Sequence, residues 1–511
     1  MLKTFSGNCR RWFFTAAEYA FRQVARVFWQ LLWMFFDQEE KKMSITGGVM
    51  VPHPPIILPE IGRGEEKKIK ATSDAFKKAM SFAASLEPET LVIASPHSIM
   101  YRDYFHISPG VEARGDFRNF RARDVGIHVE YDYEFVHTLS GLCDRDDFPA
   151  GTMGERDPEL DHGTMIPLYF LNQFMDPSRY RIVRIGLSGL PLEDHYRLGM
   201  KIREAADRLG RRVVFIASGD LSHKLKDDGP YGFDENGPVY DDRIMDVMGR
   251  GQFDELLDFD ETLCDRAAEC GHRSFVMMAG ALDGMAVRPH RLSHEGTFGV
   301  GYGVCTYEVT GADEMRHFLD LWTEKKKQEN LKRRAGEDLF VQLARAGVES
   351  AVLRHKKLPD KEIRALIGDA DDLLNRQAGT FVSIHKNGRL RGCIGTIAPT
   401  CSCIAQEIAQ NAVSASLKDP RFNEIRPDEL DSLEITVDVL GETEKIDSPD
   451  QLDVKRYGVI VSKGFRRGLL LPNLDGVDTV EEQISIALQK AGLKVNEKNY
   501  QLERFEVVRH F

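Results

Sequence analysis

The chain has 511 residues, of which 42% are hydrophobic and 29% charged, and a formal net charge of -12. Its length suits two or three domains, and its composition is that of an ordinary soluble protein. The acidic balance excludes a binder that tracks nucleic-acid phosphates, because such contacts need a basic surface.

Eight cysteines are spread along the chain without a paired framework or a Cys-x-x-Cys. That usage fits free thiols in a reducing compartment, and a cytoplasmic location is expected. The first forty residues differ from the rest. Trp12 to Phe36 is dense in Trp, Phe and Tyr, but its longest uncharged run, Val27 to Phe36, is about half of what a membrane span needs. There is no small-residue cleavage site. Two readings stand: an amphipathic helix on a membrane surface or a partner, or an extension ahead of a natural start at Met43. Residues 1–43 are therefore set apart as an N-terminal extension.

A first globular domain is expected over residues 44–312. Gly47 to Val51 reads as a short strand that runs directly into Pro52, His53, Pro54 and Pro55, where the prolines stiffen the loop around the imidazole. Glu65 to Ser85 has helical spacing. Thr90 to Ala94 is a second buried strand, ending in Ser95, Pro96 and His97. Two histidines beside proline, each at the end of a strand, point to a metal or catalytic pair. Arg114 to Asp124 reads as a charged loop and Tyr133 to Leu142 as a helix. Asp161 and His162 precede an apolar helix over Thr164 to Phe174.

Arg181 to Leu187 is a further strand and Leu192 to Leu209 an amphipathic helix. Val213 to Ala217 is apolar and β-branched without alternation, as in a strand buried on both faces of a parallel sheet. Ser218, Gly219, Asp220, Leu221, Ser222 and His223 follow it, where the ligand crevice of an open α/β sheet lies. Strand–helix alternation of this kind predicts a three-layer α/β domain with a mostly parallel central sheet. Glu269, Cys270, Gly271 and His272 precede an apolar stretch, and Phe298 to Val309 reads as the last strand.

Residues 313–335 are charged and helical and form the expected linker. Residues 336–511 make a smaller α+β domain. Its signals are a helix over Asp338 to Arg354, a hairpin around Asn387-Gly388, a small-residue helix over Cys403 to Leu417, and a strand over Leu433 to Leu440. A second hairpin around Lys463-Gly464, a helix over Val480 to Ala491 and a last strand over Leu502 to Val508 complete it.

Two neutral imidazoles and one carboxylate on one face of a metal leave positions open, as in non-haem Fe(II) oxygenases. His53 and His97 supply the nitrogens, and Glu269 is the carboxylate best placed along the chain. A chelating substrate must lose protons, so a base is needed. His223 is free to serve, with Asp220 to orient its ring, and His162 would orient substrate or bound oxygen.

Val51-Pro52-His53-Pro54-Pro55, Ser95-Pro96-His97-Ser98, Asp161-His162-Gly163 and Ser218 to His223 together resemble the LigB-type (class III) extradiol dioxygenase superfamily. The resemblance implies ferrous iron (Fe2+) held by His53, His97 and an acidic residue, His223 as acid/base, and a phenolic substrate with O2. In the related Memo proteins a cysteine before glycine takes the third position. Counting back from Ala279-Gly280-Ala281 puts Cys270 there, and a thiolate favours softer metals such as Cu or Zn; Glu269 remains the chemical choice for iron. Leu390 to Thr396 with Ser416 to Phe422 is similar to the AMMECR-type domain. The combination looks like the AmmeMemoRadiSam proteins. No radical-SAM cysteine cluster occurs here, so that partner would be a separate chain. A homo-oligomer is left open.

Overall fold

A computed structural model describes residues 43–474 and 476–511. The expected surface helix over Trp12 to Phe36 lies outside them. The chain divides into two compact units, one reaching Leu321 and the other running from Trp322 to Phe511.

The first unit is built on a six-stranded sheet: β1 (Ile45–Val51), β2 (Thr90–Ser95), β3 (Arg181–Gly186), β4 (Val213–Ser218), β5 (Met285–Glu295) and β6 (Tyr302–Ala312). Their spatial order is β3-β2-β4-β1-β6-β5. The first four pair in parallel, whereas β6 runs antiparallel to β1 and β5 antiparallel to β6. The sheet is therefore mixed. Every residue of β2 and β4 is buried, which is why their sequences show no alternation.

Strand β5 is a correction to the sequence reading, which has no strand there. Arg288, His290 and Arg291 interrupt it, because this edge strand is only partly buried and carries polar groups outward. The segment Arg114 to Asp124 is a second correction. It belongs to a hairpin of Glu112–Phe117 with Ala122–Glu130, whose Ala113, Phe117, Ile127 and Val129 point into the core. Its charges sit on the solvent side and hide the strand pattern.

Helices cover both faces of the sheet. On one face Val49, Val51, Leu91, Ile93, Val214 and Ile216 share a core with Phe76 and Met80 of α1 (Lys70–Ser85) and Ile166 and Phe170 of α2 (His162–Leu171). The other face carries α3 (Leu192–Leu209) and α4 (His272–Ala281). No helix among the described residues is long and apolar enough to cross a membrane, and the cysteines described are all free.

The second unit holds an antiparallel sheet. Its strands run in the order Arg389–Gly395, Thr380–Lys386, Leu433–Leu440, Gln501–His510, Tyr457–Lys463 and Arg466–Leu470, and Glu444–Ile446 pairs beside Gln501–His510. Helices Leu339–Arg354 and Ile404–Leu417 pack on Val382, Ile384, Ile435 and Val437. Asn387 and Gly388 both have positive φ (53° and 79°), as a two-residue hairpin with the twist of its strands requires. Arg391 donates to Glu429 and to the Asn423 and Glu424 carbonyls, so its guanidinium is consumed in pinning a loop. Cys393 N–H donates to Asp419 Oδ2 at 2.9 Å, and its carbonyl accepts from Arg421 at 3.0 Å.

Candidate metal centre

Because β1, β2 and β4 are parallel, their carboxyl ends open on one edge of the sheet. His53 follows β1, His97 follows β2, and the stretch from Gly219 to His223 follows β4. His162 reaches the same place as the first residue of α2. Asp161 caps that helix by accepting from Thr164 N at 3.0 Å.

His53 Nε2 and His97 Nε2 are 2.9 Å apart, and the His97 and His162 ring centroids are 4.1 Å apart. One donor nitrogen from each of His53, His97 and His162 lies within 4.8 Å of the others. His53 is buried, His162 partly covered and His97 exposed, so the cluster opens to solvent on the His97 side. Burial, together with the neighbouring imidazoles, holds all three below the usual histidine range, with His162 down at about 4. The rings are thus neutral donors near pH 7.

The orientation of His53 follows from its neighbours. Ser218 Oγ donates to the Gly163 carbonyl at 2.6 Å, so it can only accept from His53 Nδ1–H at 3.0 Å. Nε2 is left with its lone pair toward His97. The His53 backbone N–H donates to Asp220 Oδ1 at 2.7 Å. Around His97, Ser95 Oγ accepts from the His97 N–H at 3.3 Å and donates to Asp161 Oδ1 at 2.5 Å. Such outer contacts fix tautomer and ring angle in metal sites.

Glu269 and Cys270 part company. A Cβ on Gly219 would collide with Gly271 Cα, so two glycines let these backbones touch. Cys270 N and Gly271 N then donate to the Asp220 carbonyl at 3.4 and 3.1 Å. This sets Cys270 Sγ 3.6 Å from His53 Nε2. The Glu269 carboxylate instead accepts from His272 N at 2.6 Å and caps α4; burial raises it to about 7. The structure brings the thiol, not the carboxylate, to His53.

His223 Nδ1 donates to the Ala268 carbonyl at 2.6 Å, and Tyr231 meets its ring edge-on at 5.0 Å between centroids. Nε2 is therefore the acceptor. The ring stands close enough for its charge to depress both His53 and His97. Asp220 does not orient it, contrary to the sequence reading. The chain turns at Gly219 and sends the carboxylate back to the His53 N–H, where burial raises it to about 7.

The imidazole nitrogens fit one metal ion. Two nitrogens at 2.0–2.1 Å from a metal are about 2.9 Å apart at a right angle and about 3.3 Å apart in a tetrahedron. The 2.9 Å separation of His53 and His97 matches the right-angle value. Ser218, Ser95 and the Ala268 carbonyl were missed from sequence. Phe120, edge-on to His162 at 5.2 Å, was hidden in the supposed charged loop. A serine closing a buried apolar strand was the one available signal, and it did not name its partner.

Parallel strands that carry imidazoles to one edge, beside a thiol and a held proton acceptor, define a metal-binding α/β domain. Residues 47–305 match the family model described as the catalytic LigB subunit of aromatic ring-opening dioxygenase, and residues 341–510 match AMMECR1. The chain belongs to the family in which these two domains are joined. It is 40% identical over 481 residues to a Clostridium acetobutylicum protein, covering 92% of this chain and 99% of that one. A Thermotoga maritima protein is 45% identical over 177 residues, covering 34% of this chain and 98% of its own. A solved Escherichia coli K12 structure is 14% identical with a TM-score of 0.33, covering 52% of this chain and 99% of that one.

Proposed function

We propose that the LigB domain is a metal-dependent oxidoreductase that opens a catechol or another chelating phenol with O2. The observation that carries this reading is His223, a neutral imidazole with a fixed tautomer beside the histidine cluster. A site that only stores metal has no need of it. His53 and His97 would hold the metal, with Ser218 presenting the His53 lone pair. When bound, ferrous iron would supply Lewis acidity to two substrate oxygens and electrons to O2. His223 Nε2 takes the phenol proton while the Ala268 carbonyl steadies the ring as charge develops. The exposed His97 side admits substrate, and His162 borders it.

Cys270 favours a second reading. With the thiol beside His53 and Glu269 spent on α4, the donor set suits copper or zinc better than iron. The protein would then bind metal without oxygenase activity and work with a separate radical-SAM chain. Metal analysis of anaerobically purified full-length protein, followed by an aerobic catechol-cleavage assay, separates the two. Iron with ring cleavage is expected for the first, and stoichiometric copper or zinc without cleavage for the second. Full occupancy in the His53→Ala/His97→Ala double variant would sink both.

A further inference from the structure

We propose that Asp241 and His294 are a positioning pair for His223, an assignment that rests on reading His223 as the proton carrier. Asp241 lies on the helix Asn236–Arg250 and is 1% exposed. Its Oδ1 accepts from Ser222 N at 2.8 Å, and its Oδ2 meets His294 Nε2, on β5, at 2.8 Å. A buried carboxylate is costly unless it is paired and hydrogen-bonded. Here it spans a helix, a strand and the residue just before His223.

The loop it grips is held on every side. Ser222 Oγ donates to the Ala267 carbonyl at 3.0 Å and accepts from Lys224 N at 3.0 Å. His223 N donates to the same carbonyl at 3.0 Å. Gly301 N donates to the Ser222 carbonyl at 2.7 Å, and Leu221 N donates to the Gly301 carbonyl at 2.8 Å. A Cβ on Gly301 would collide with Asp241 Oδ2, so only glycine both brackets the loop and admits the carboxylate. Asp241 is the side chain that ties Ser222 to a separate helix, and with it the height at which His223 meets Ala268. A displacement of about 1 Å in a catalytic group costs about 10²-fold in rate.

The test uses full-length protein with 15N-labelled histidine, the His223 ring signals being assigned by difference from His223→Gln. Wild type should show the Nδ1-protonated tautomer. Asp241→Asn, which keeps an acceptor for Ser222 N–H, should retain that signature. Asp241→Leu and His294→Leu should lose it at unchanged metal content, and kcat on any cleaved catechol should fall about 10²-fold with KM unchanged. If Asp241→Leu does not fold, His294→Leu decides, since that side chain is 20% exposed. A wild-type His223 signature in the folded leucine variants overturns the assignment, and so does loss of metal in them. Loss of the signature in a protein inactive on every chelating phenol refutes the oxygenase reading alone.

Discussion

Ser218→Ala tests how the metal centre is built. The Ser218 side chain is fully buried and does two things at once: it accepts from His53 Nδ1–H at 3.0 Å and donates to the Gly163 carbonyl at 2.6 Å. Alanine leaves that N–H without its acceptor in a buried place, at a cost of about 1–3 kcal/mol. The ring recovers part of this by carrying its proton on Nε2, which turns a lone pair into a blocking N–H at the centre. Loss of such an outer partner typically lowers metal affinity about 10–100-fold, or about 1.4–2.8 kcal/mol at 1.4 kcal/mol per tenfold. Competition against a chelator, with Zn2+ and with anaerobic Fe2+, measures the change on full-length protein, and circular dichroism checks the fold. A dissociation constant within about twofold of wild type would refute the tautomer argument, since the 10–100-fold penalty would be missing.

Cys270→Ala should lower Zn2+ or Cu binding, whereas Glu269→Ala should keep the metal and cost about 1 kcal/mol through its lost bond to the first N–H of α4; the opposite pattern, by metal analysis and urea denaturation, would return the ligand role to Glu269. His223→Ala should leave metal content unchanged and cut turnover about 10²–10⁴-fold, and loss of metal would make His223 a ligand. Asp283 Oδ2 bonds His317 Nδ1 at 2.7 Å and holds His317 above its ordinary value. Its stabilising contribution is thus complete below about pH 6.5 and is lost as pH rises through the raised value. The wild-type minus His317→Ala difference in urea midpoint should shrink accordingly between about pH 5 and 8, and a flat difference would argue against the pair.

The strands that build the site were legible because burial on both faces writes itself into composition, as in Val213 to Ala217 and Thr90 to Ala94. Strand β5 and the hairpin after Glu112 were not, since a half-buried strand with outward charges looks like a loop. The three histidines could be found because each follows a strand or opens a helix beside Pro or Asp. Their supports could not: Ser218 lies 165 residues from His53 in sequence. Which of Glu269 and Cys270 stands beside His53 turned on a single residue. It depended on where α4 begins, because a carboxylate just ahead of a helix is drawn to its free N–H groups.

The contacts of Cys393 bear on how the second unit behaves among its neighbours. Arg389–Gly395 is the outermost strand of its sheet, and an outermost strand offers unpaired N–H and C=O groups to any extended peptide. At Cys393 both groups are already engaged, one by Asp419 and the other by Arg421. A foreign strand would have to displace this charged pair before it could add itself in register. At this residue, the fifth of the strand's seven, the rim resists β-augmentation and edge-to-edge pairing.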